Sequence, residues 1–474
     1  MLNLYPEPQS NNVNPDAHLK VESDRELVLG QRGHIIIKDT ETNTIIDRLD
    51  ISLPPGPKVG RNNPEADYLK TSYDYRRKHQ ASNKDTEPGT SSAKNAGGDK
   101  EYQLSIIGGF TDGFHFHPVI IKGKTAIITL HHNLLEYNKT YEVSIEASIL
   151  GFEEEGDISW TFTTKKDFPD LTKGRLIVDG SGQGDFDTLQ GALDFIPDEH
   201  PQEVNIEIKK AEYDEIVYFR NKANINIKGE EREKTIIQYA NNEVFNPHPW
   251  MVKTNEKKGT FPSRRATFSV DHCHHIHIEN LTIQTLLKGQ AEALLLNGEH
   301  ITVKNCTIIG SGDALQANGS VYMENIHLEG DGDTILTRGA TFIKDSHIIS
   351  TGPFIWPRNP KDNHGNVFVN CRFTARRKEY AVIARAPYNK KPVSYPYAEV
   401  VLLNCTLDQI DPKGWGIFDG ETSHVHLWEY KSKDPQGNLI DTSERMHYSR
   451  QLDEGKDKEL IEKYSNPEFV LGWE

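Results

Sequence analysis

From residue 277 onward the chain repeats a short pattern of alternating apolar and polar positions. In each copy, alternating apolar residues lead to an Asn or Asp, then a small or apolar residue, then a second alternating run. Alternation with a period of two is typical of β-strands rather than helices. Six copies are recognisable, centred on Asn280, Asn305, Asn325, Asp345, Asn370 and Asn404.

The spacing of these copies predicts how the strands are arranged. Successive centres lie 20 to 34 residues apart, and weaker strand-like segments precede them at 204–208 and 224–227. Such a period is typical of a solenoid in which each repeat forms one coil. Since the leucine signature of a leucine-rich repeat is absent, the pattern predicts a right-handed parallel β-helix. The long insertion after Asn370 is expected to form a loop on one face.

The four cysteines agree with this interpretation. Cys306, Cys371 and Cys405 each follow the central Asn of a repeat directly. Because the three cysteines occupy the same position in their repeats, they are predicted to stack as an inward-facing ladder of small apolar side chains. Free thiols are favoured over disulfides. Because the chain contains no CxxC pair, a cysteine zinc site is not expected.

The first part of the chain lacks the repeat. Between residues 33 and 164, short strand-like segments alternate with turn-forming residues, which is typical of a β-sandwich. Segment 78–99 is polar and predicts a loop, whereas 174–196 reads as a strand, a glycine-rich turn and a helix. No Lys-Ser/Thr follows these glycines, which disfavours a phosphate-binding loop. We therefore predict an all-β protein with a β-sandwich over 1–165 and the β-helix over 166–474.

Composition excludes several classes of partner. The net charge is −16 and the mean hydropathy is −0.63. No apolar run approaches the length of a membrane span, and no basic patch is dense enough for nucleic acid. The first residues lack the apolar stretch of a signal peptide. The chain is thus expected to be cytoplasmic, or an exported protein without its signal.

Two aspartates carry the candidate chemistry. Asp313 and Asp333 each lie eight residues after the central Asn of successive copies, at Asn305 and Asn325. On neighbouring coils their carboxylates would stack roughly 5 Å apart. Like charges that close predict one raised and one low pKa, which suits an acid paired with a base or nucleophile. Alternatively, both residues are turn aspartates at coil corners.

Several motifs resemble, in order, those of the pectinesterase family, carbohydrate esterases built on a right-handed β-helix. The resemblance covers roughly residues 174–474, and the Ig-like module of some bacterial members resembles the first domain around Asn14-Pro-Asp-Ala-His-Leu. The matching segments are Asp179-Gly-Ser-Gly, Gln290-Ala-Glu-Ala-Leu, Gly312-Asp313-Ala-Leu, Leu328-Glu-Gly-Asp-Gly-Asp333-Thr-Ile, Ile383-Ala-Arg385-Ala-Pro, Gly414-Trp415 and Glu429-Tyr430.

The resemblance implies hydrolysis of galacturonate methyl esters in pectin, with release of methanol and without a metal or cofactor. Asp333 would be the nucleophile, and Asp313 the acid and then the base. Arg385 would pair with Asp333 and lower its pKa, Gln290 would donate to the oxyanion, and Trp415 would line the sugar cleft. The protein would act as a secreted, periplasmic or cell-surface monomer on methyl-esterified homogalacturonan.

The chain departs from the family at two places. The glutamine that precedes the first aspartate is Gly312 here, so a backbone N–H, Gln316 or Gln290 alone must supply the oxyanion donor. Gln316 lies three residues after Asp313 and is expected on the opposite face of the strand unless the backbone bends. This favours Gln290 as the main oxyanion donor. The aromatic residue after the arginine is also absent, and Tyr388 is the candidate substitute.

Two other classes of function stay open. One is a β-helical polysaccharide lyase or glycoside hydrolase, although a calcium-carboxylate cluster or a third aspartate is not evident. The other is a non-catalytic polysaccharide-binding protein. The histidines between His272 and His277 lie along a strand and would be split between its two faces, so no metal site is predicted there.

Overall fold

The computed structural model describes residues 2–56, 102–108, 114–152, 156–246, 264–377, 381–385, 388–390, 393–418 and 420–473. By its internal contacts the chain divides into two units. The first comprises Met1–Ile196 and Glu243–Arg264, and the second comprises Pro197–Asn242 and Arg265–Glu474. No helix within these described ranges is long and apolar enough to cross a membrane.

The first unit contains the predicted β-sandwich. One sheet has the order β1-β3-β9-β8, the other β2-β11-β10-β4-β5, and alternate residues of both sheets contribute to one apolar core. The strands are β1 (Asn3–Tyr5), β2 (Ser10–Val13), β3 (Leu19–Glu22), β4 (His34–Asp39), β5 (Thr44–Asp50), β6 (Leu104–Ser105), β7 (Phe114–His115), β8 (Val119–Lys122), β9 (Thr125–Ile128), β10 (Thr140–Ile145) and β11 (Ile158–Thr164). The predicted loop at 78–99 lies outside the described residues.

The first unit continues past the sandwich through strand β12 (Arg175–Val178) and helix α1 (Leu189–Phe195). The Asp16 carboxylate accepts hydrogen bonds from the backbone N–H groups of Asp187 and Thr188 at the start of α1. Gly191 permits this approach, because a Cβ there would lie 2.4 Å from the Asp16 carboxylate. The division by contacts thus groups 166–196 with the sandwich, and the domain boundary at 165 stays a prediction.

The second unit is a right-handed parallel β-helix with three strands in each central coil. Its strands are β13 (Val204–Ile208), β14 (Ala211–Asp214), β15 (Val217–Arg220), β16 (Ala223–Gly229), β17 (Thr235–Tyr239), β18 (Phe268–Glu279), β19 (Thr282–Thr285), β20 (Leu294–Lys304), β21 (Thr307–Ile309), β22 (Leu315–Ala317), β23 (Ser320–Glu324), β24 (His327–Gly330), β25 (Ile335–Thr337), β26 (Ala340–Lys344), β27 (His347–Ser350), β28 (Ile355–Pro357), β29 (Asn366–Val369), β30 (Arg372–Ala375), β31 (Tyr388–Lys390), β32 (Val393–Ser394), β33 (Glu399–Leu403), β34 (Thr406–Asp408), β35 (His426–Tyr430) and β36 (Arg450–Gln451).

Three parallel ladders of strands run along this β-helix. One runs β13-β16-β18-β20-β23-β26-β29-β33-β35-β36, and a second runs β14-β17-β19-β21-β24-β27-β30-β34. The third, which we call the short ladder, passes from the first half of β20 through β22, β25 and β28. It continues as isolated bridges from Ile355 to Ala384 and from Ala384 to Trp415. The fold class predicted from the alternating pattern is confirmed.

The central Asn or Asp of each repeat makes the turn between the first two ladders. All six have positive φ, between 49° and 62°, a left-handed conformation that Asn and Asp adopt more readily than other non-glycine residues. Their side chains also bond from coil to coil, as from Asn325 Nδ2 to Asn305 Oδ1 at 2.8 Å. The following cysteines are buried free thiols, as predicted.

Two short helices at the end of the described chain pack across the first ladder. They are α2 (Lys458–Tyr464) and α3 (Pro467–Leu471), and their buried faces share a core with residues of β26, β29 and β33. Trp473 follows them; its indole N–H donates to Ser320 Oγ at 2.9 Å, and its ring stacks on His300 at 5.1 Å.

Candidate active site

The two aspartates occupy equivalent places on consecutive coils. Bridges align Gln290 with Gly312 and Gly312 with Gly332, so Asp313 and Asp333 follow paired positions immediately before β22 and β25. Both have positive φ, 60° and 45° respectively. The equivalent positions on neighbouring coils that the sequence predicts are therefore present, and they lie at bends where the backbone turns into the short ladder.

Asp333 is held by Arg385. Arg385 Nη1 donates to Asp333 Oδ2 at 2.6 Å, whereas Oδ1 of the same carboxylate has no hydrogen-bond partner among the described residues. Burial raises the pKa of Asp333 to about 6; Arg385 opposes this rise and the charge of Asp313 adds to it. The expected low pKa for Asp333 is therefore wrong, because desolvation outweighs the opposing effects of Arg385 and Arg358.

Asp313 is held by a different arginine, which the sequence did not reveal. The carboxylate is only 5% exposed, and its Oδ2 accepts a hydrogen bond from Arg265 Nη2 at 2.8 Å. Arg265 Nε donates to Glu292 Oε2 at 2.6 Å. Burial raises the pKa of the fully enclosed Glu292 to about 7, against the opposing effect of Arg265. Arg265 therefore joins two buried carboxyl groups.

The same arginine orients Gln290. Its Nη1 donates to the side-chain oxygen of Gln290. Because a guanidinium only donates, the amide oxygen must face Arg265 and the amide Nε2 must point away from it. Gln290 is exposed on the other side, so its N–H groups are presented outward beside the aspartates. This geometry agrees with Gln290 as an oxyanion donor, a role that remains a prediction.

Gly312 contributes no donor of its own. Its backbone N–H donates to Gly289 O at 2.7 Å, and that of Asp313 donates to Gly332 O at 3.1 Å. Both N–H groups are thus used within the coil, which removes them as substitutes for the missing side chain. A Cβ at residue 312 would lie 3.0 Å from Gly289 O, so the space for a side chain is also tight.

Gln316 lies on the face that carries Arg385. It pairs with Leu336, which pairs with Trp356, and the bridge from Ile355 to Ala384 places Arg385 next in the same row. Residues paired in a parallel ladder point to the same side. In a regular strand Gln316, three residues after Asp313, would point to the opposite face from it. The positive φ of Asp313 bends the backbone between them, so Gln316 is not turned away from the site.

Trp415 does not line a cleft. It is completely buried and belongs to the inward-facing row of Ile355 and Ala384. A ring with no exposed surface cannot stack on a sugar, so that expectation is wrong. Tyr388 lies in β31, but its side chain falls outside the described part of the chain.

Trp356 supplies an aromatic ring that sequence reasoning missed. It is partly buried in β28, and the guanidinium of Arg385 lies 4.6 Å from its ring centroid. The ring therefore packs on the arginine that holds Asp333. A signal was available, because Trp356 lies twenty residues after Leu336 and forty after Gln316.

The histidine segment divides among separate partners. His272 pairs with Asp271, His274 with Glu199 and His277 with Glu279, while His275 stacks on His300. Across the described residues no group of three or more His, Cys, Asp or Glu side chains is arranged to hold a metal ion.

Comparison with known proteins assigns this chain to one family. A family model described as Pectinesterase matches residues 175–472. The chain therefore belongs to the pectinesterase family. The match covers most of the second unit and includes Gln290, both aspartates and Arg385.

Similar proteins include plant pectinesterases. The chain is 28% identical over 287 residues to Pectinesterase 5 of Arabidopsis thaliana, covering 56% of this chain and 45% of the relative. It is 27% identical over 344 residues to Pectinesterase QRT1 of the same plant, covering 68% and 84%. The chain thus spans about half the length of several curated relatives that it matches.

A solved structure supports the fold. Pectin methylesterase from carrot is 20% identical, with a TM-score of 0.51, and the match covers 63% of this chain and 93% of the carrot protein. At that identity the likeness establishes the β-helix, and the chemistry is argued from the side chains of this chain.

Proposed function

We propose that this chain hydrolyses the methyl esters of galacturonate in pectin and releases methanol. The observation that carries the proposal is the pair of stacked aspartates, each held by its own arginine, with Asp333 Oδ1 left without a partner among the described residues. The Asp333 side chain is 20% exposed, and a carboxylate that is held in place while part of it stays accessible is suited to attack an ester carbonyl.

The reaction follows from the position of these groups. The Asp333 carboxylate attacks the ester carbonyl, and the Gln290 amide N–H donates to the oxygen on which negative charge develops. Asp313, carrying a proton, gives it to the departing methoxide, which leaves as methanol. Asp313 then takes a proton from water as that water attacks the acyl–Asp333 anhydride. Hydrolysis returns Asp333 as a carboxylate and leaves galacturonic acid.

Arg265 and Arg385 have separate tasks in this scheme. Arg385 fixes the orientation of the Asp333 carboxylate. Arg265 fixes Asp313 and turns the Gln290 amide, so it acts through other residues and is a positioning residue. Gln316 and Trp356 share the face of Arg385 and are proposed to border the sugar chain.

Methanol release from methyl-esterified pectin tests the proposal. An esterase yields methanol without shortening the polymer, whereas a glycoside hydrolase yields new reducing ends and a lyase yields unsaturated ends that absorb ultraviolet light. Chain cleavage without methanol would overturn the proposal, and binding without either product would favour a non-catalytic polysaccharide-binding protein. Because pectin is an extracellular polymer, we also propose that the protein acts as a monomer after secretion, in the periplasm or at the cell surface.

A further inference from the structure

Trp356 lies on the coil between Asp333 and Arg385. Strand β25, which follows Asp333, pairs with β28, which contains Trp356, and Ile355 of β28 bridges to Ala384, the residue before Arg385. Neighbouring strands lie roughly 5 Å apart, so the Arg385 side chain crosses one whole coil to reach Asp333. The coil that it crosses is the one that presents Trp356.

The indole of Trp356 lies along this path. The Arg385 guanidinium is 4.6 Å from the ring centroid, and Nη1 of the same group donates to Asp333 Oδ2 at 2.6 Å. One guanidinium therefore contacts both the aromatic ring and the carboxylate of the proposed nucleophile. Because a guanidinium is attracted by the electron-rich face of an aromatic ring, this contact favours the orientation in which Arg385 meets Asp333.

The Arg385 side chain needs such a contact because backbone bonds alone do not order it. The Arg385 backbone N–H donates to Ile355 O at 2.9 Å, which anchors the main chain and leaves a long side chain to be ordered. That side chain is 35% exposed and the side chain of Asp333 is 20% exposed, so water reaches the ion pair. Ion pairs in contact with water contribute little by themselves, because solvent screens them and ordering a long side chain costs entropy.

The ring is itself held by other neighbours. It packs edge-on against Tyr395, with ring centroids 6.4 Å apart and an interplanar angle of 83°. The guanidinium of Arg358 also lies over the ring, 4.8 Å from its centroid. Trp356 is partly buried within β28, and its backbone pairs with that of Leu336. A ring fixed in this way presents a constant surface to Arg385.

We propose that Trp356 is a positioning residue for ester hydrolysis, and that its indole holds the Arg385 guanidinium against Asp333. The aromatic residue that follows the arginine in the family motif is absent from this chain, and the structure shows a tryptophan from the preceding coil beside Arg385. The inference rests on the proposed function and adds to it a residue that acts on Asp333 through Arg385.

Removal of the ring should change how Asp333 ionises as well as how it is oriented. Arg385 lowers the pKa of Asp333 against the opposing effect of burial. Without the indole, the guanidinium can leave the carboxylate for water, and the pKa of Asp333 then rises further. Because the carboxylate form attacks the ester, the acid limb of kcat/KM should move to higher pH.

The first test replaces the ring and measures methanol release from methyl-esterified pectin. Trp356→Leu should lower kcat about tenfold, because it removes the contact between cation and ring while keeping an apolar side chain. Trp356→Phe keeps a ring face and should retain at least about one third of the wild-type kcat. A loss confined to KM would make Trp356 a sugar contact only and would overturn the proposal, as would a Trp356→Phe enzyme as slow as Trp356→Leu.

A double-mutant cycle shows whether Trp356 acts through Arg385. In the Arg385→Gln background, Trp356→Leu should lower kcat further by less than about twofold and should not move the acid limb again. If the effect of Trp356→Leu came from altered burial of Asp333, it would persist at full size in this background. Such persistence would contradict the proposal.

Trp428→Leu is the matched control. An arginine also lies over the Trp428 ring, with the Arg450 guanidinium 5.7 Å from the centroid, but Trp428 belongs to the first ladder. This variant should keep kcat within about twofold of wild type and leave the acid limb in place. A loss as large as that of Trp356→Leu in a folded control protein would refute a specific role for Trp356.

A crystal structure of Trp356→Leu gives a result that does not depend on turnover. The Arg385 guanidinium should be displaced from Asp333 or lack a single ordered position. An ordered Arg385 with its bond to Asp333 unchanged would overturn the proposal. Absence of methanol with the wild-type protein would instead overturn the proposed function, and the crystal structure would still decide whether Trp356 holds Arg385.

Discussion

Asp313 and Asp333 stand at equivalent places on consecutive coils, yet each carboxylate is bonded to a different arginine. Arg265 reaches Asp313 from two coils earlier, and Arg385 reaches Asp333 from a later coil. The pair is therefore symmetric in backbone position and asymmetric in environment. That asymmetry is consistent with the proposed roles, in which Asp333 attacks while Asp313 transfers protons.

Replacing the proposed nucleophile should abolish catalysis without unfolding the protein. Asp333→Asn keeps the shape of the side chain but removes the attacking carboxylate, so methanol release should fall below about one per cent of the wild-type rate. Asp331→Asn, two residues earlier on the same coil and bonded to Lys288 and Ser311, is the control and should stay active. Substantial activity in a folded Asp333→Asn protein would refute its role.

The rate should depend on the ionisation of Asp333. Only the carboxylate form attacks, and its pKa is raised to about 6, so kcat/KM should rise about tenfold per pH unit below that value and level off above it. Arg385→Gln removes an opposing cation and should shift this limb to higher pH. A pH–rate profile with its acid limb near the ordinary aspartate value would contradict the raised pKa.

Removing only one member of the buried ion pair between Arg265 and Glu292 should destabilise the protein more than removing both. Arg265→Met removes the cation that favours the ionised form of Glu292, so at pH 8 the enclosed carboxyl must take up a proton or stay charged without a partner. Breaking such a buried pair costs about 3–5 kcal/mol of unfolding free energy. Adding Glu292→Leu should recover most of that loss in urea denaturation.

The same two variants separate stability from catalysis. Arg265→Met and the double variant both lack the arginine that holds Asp313 and orients the Gln290 amide. In both variants kcat should therefore stay reduced by about a hundredfold. Recovery of kcat together with stability in the double variant would show that Arg265 has only a structural role.

Glu292 should also make stability depend on pH. Its folded pKa of about 7 lies above the ordinary value of 4.5, so its contribution is full below pH 4.5 and is lost as the pH rises through 7. The loss amounts to about 3 kcal/mol. The difference in unfolding free energy between wild type and Glu292→Gln, followed from pH 5 to pH 8, measures it. A constant difference would contradict the raised pKa.

The sequence allowed the coils and their paired aspartates to be predicted because each depends on local periodicity. The central Asn residues mark left-handed turns, and counting from them places Asp313 and Asp333 on adjacent coils. Arg385 was found through its motif. These features recur at fixed offsets, which a single sequence displays directly.

Other site residues depend on contacts that no fixed offset encodes. Arg265 lies just before β18, outside the repeat pattern, and its three partners come from two later coils. Glu292 gave one signal, a charged residue within a run of small apolar positions. The prediction that Trp415 lines the cleft was wrong because the Gly-Trp motif only aligns this residue with the family. Whether its ring is buried depends on which row of the short ladder it occupies.

The bond between Trp473 and Ser320 affects how this β-helix can come apart. In most solenoids each coil touches only its neighbours, so unfolding can start at an end and move inward. Here helices α2 and α3 and the Trp473 indole fasten the end of the described chain to central coils. Unwinding the last coils must first break these contacts, so fraying from that end is coupled to loosening of the central coil that carries Ser320.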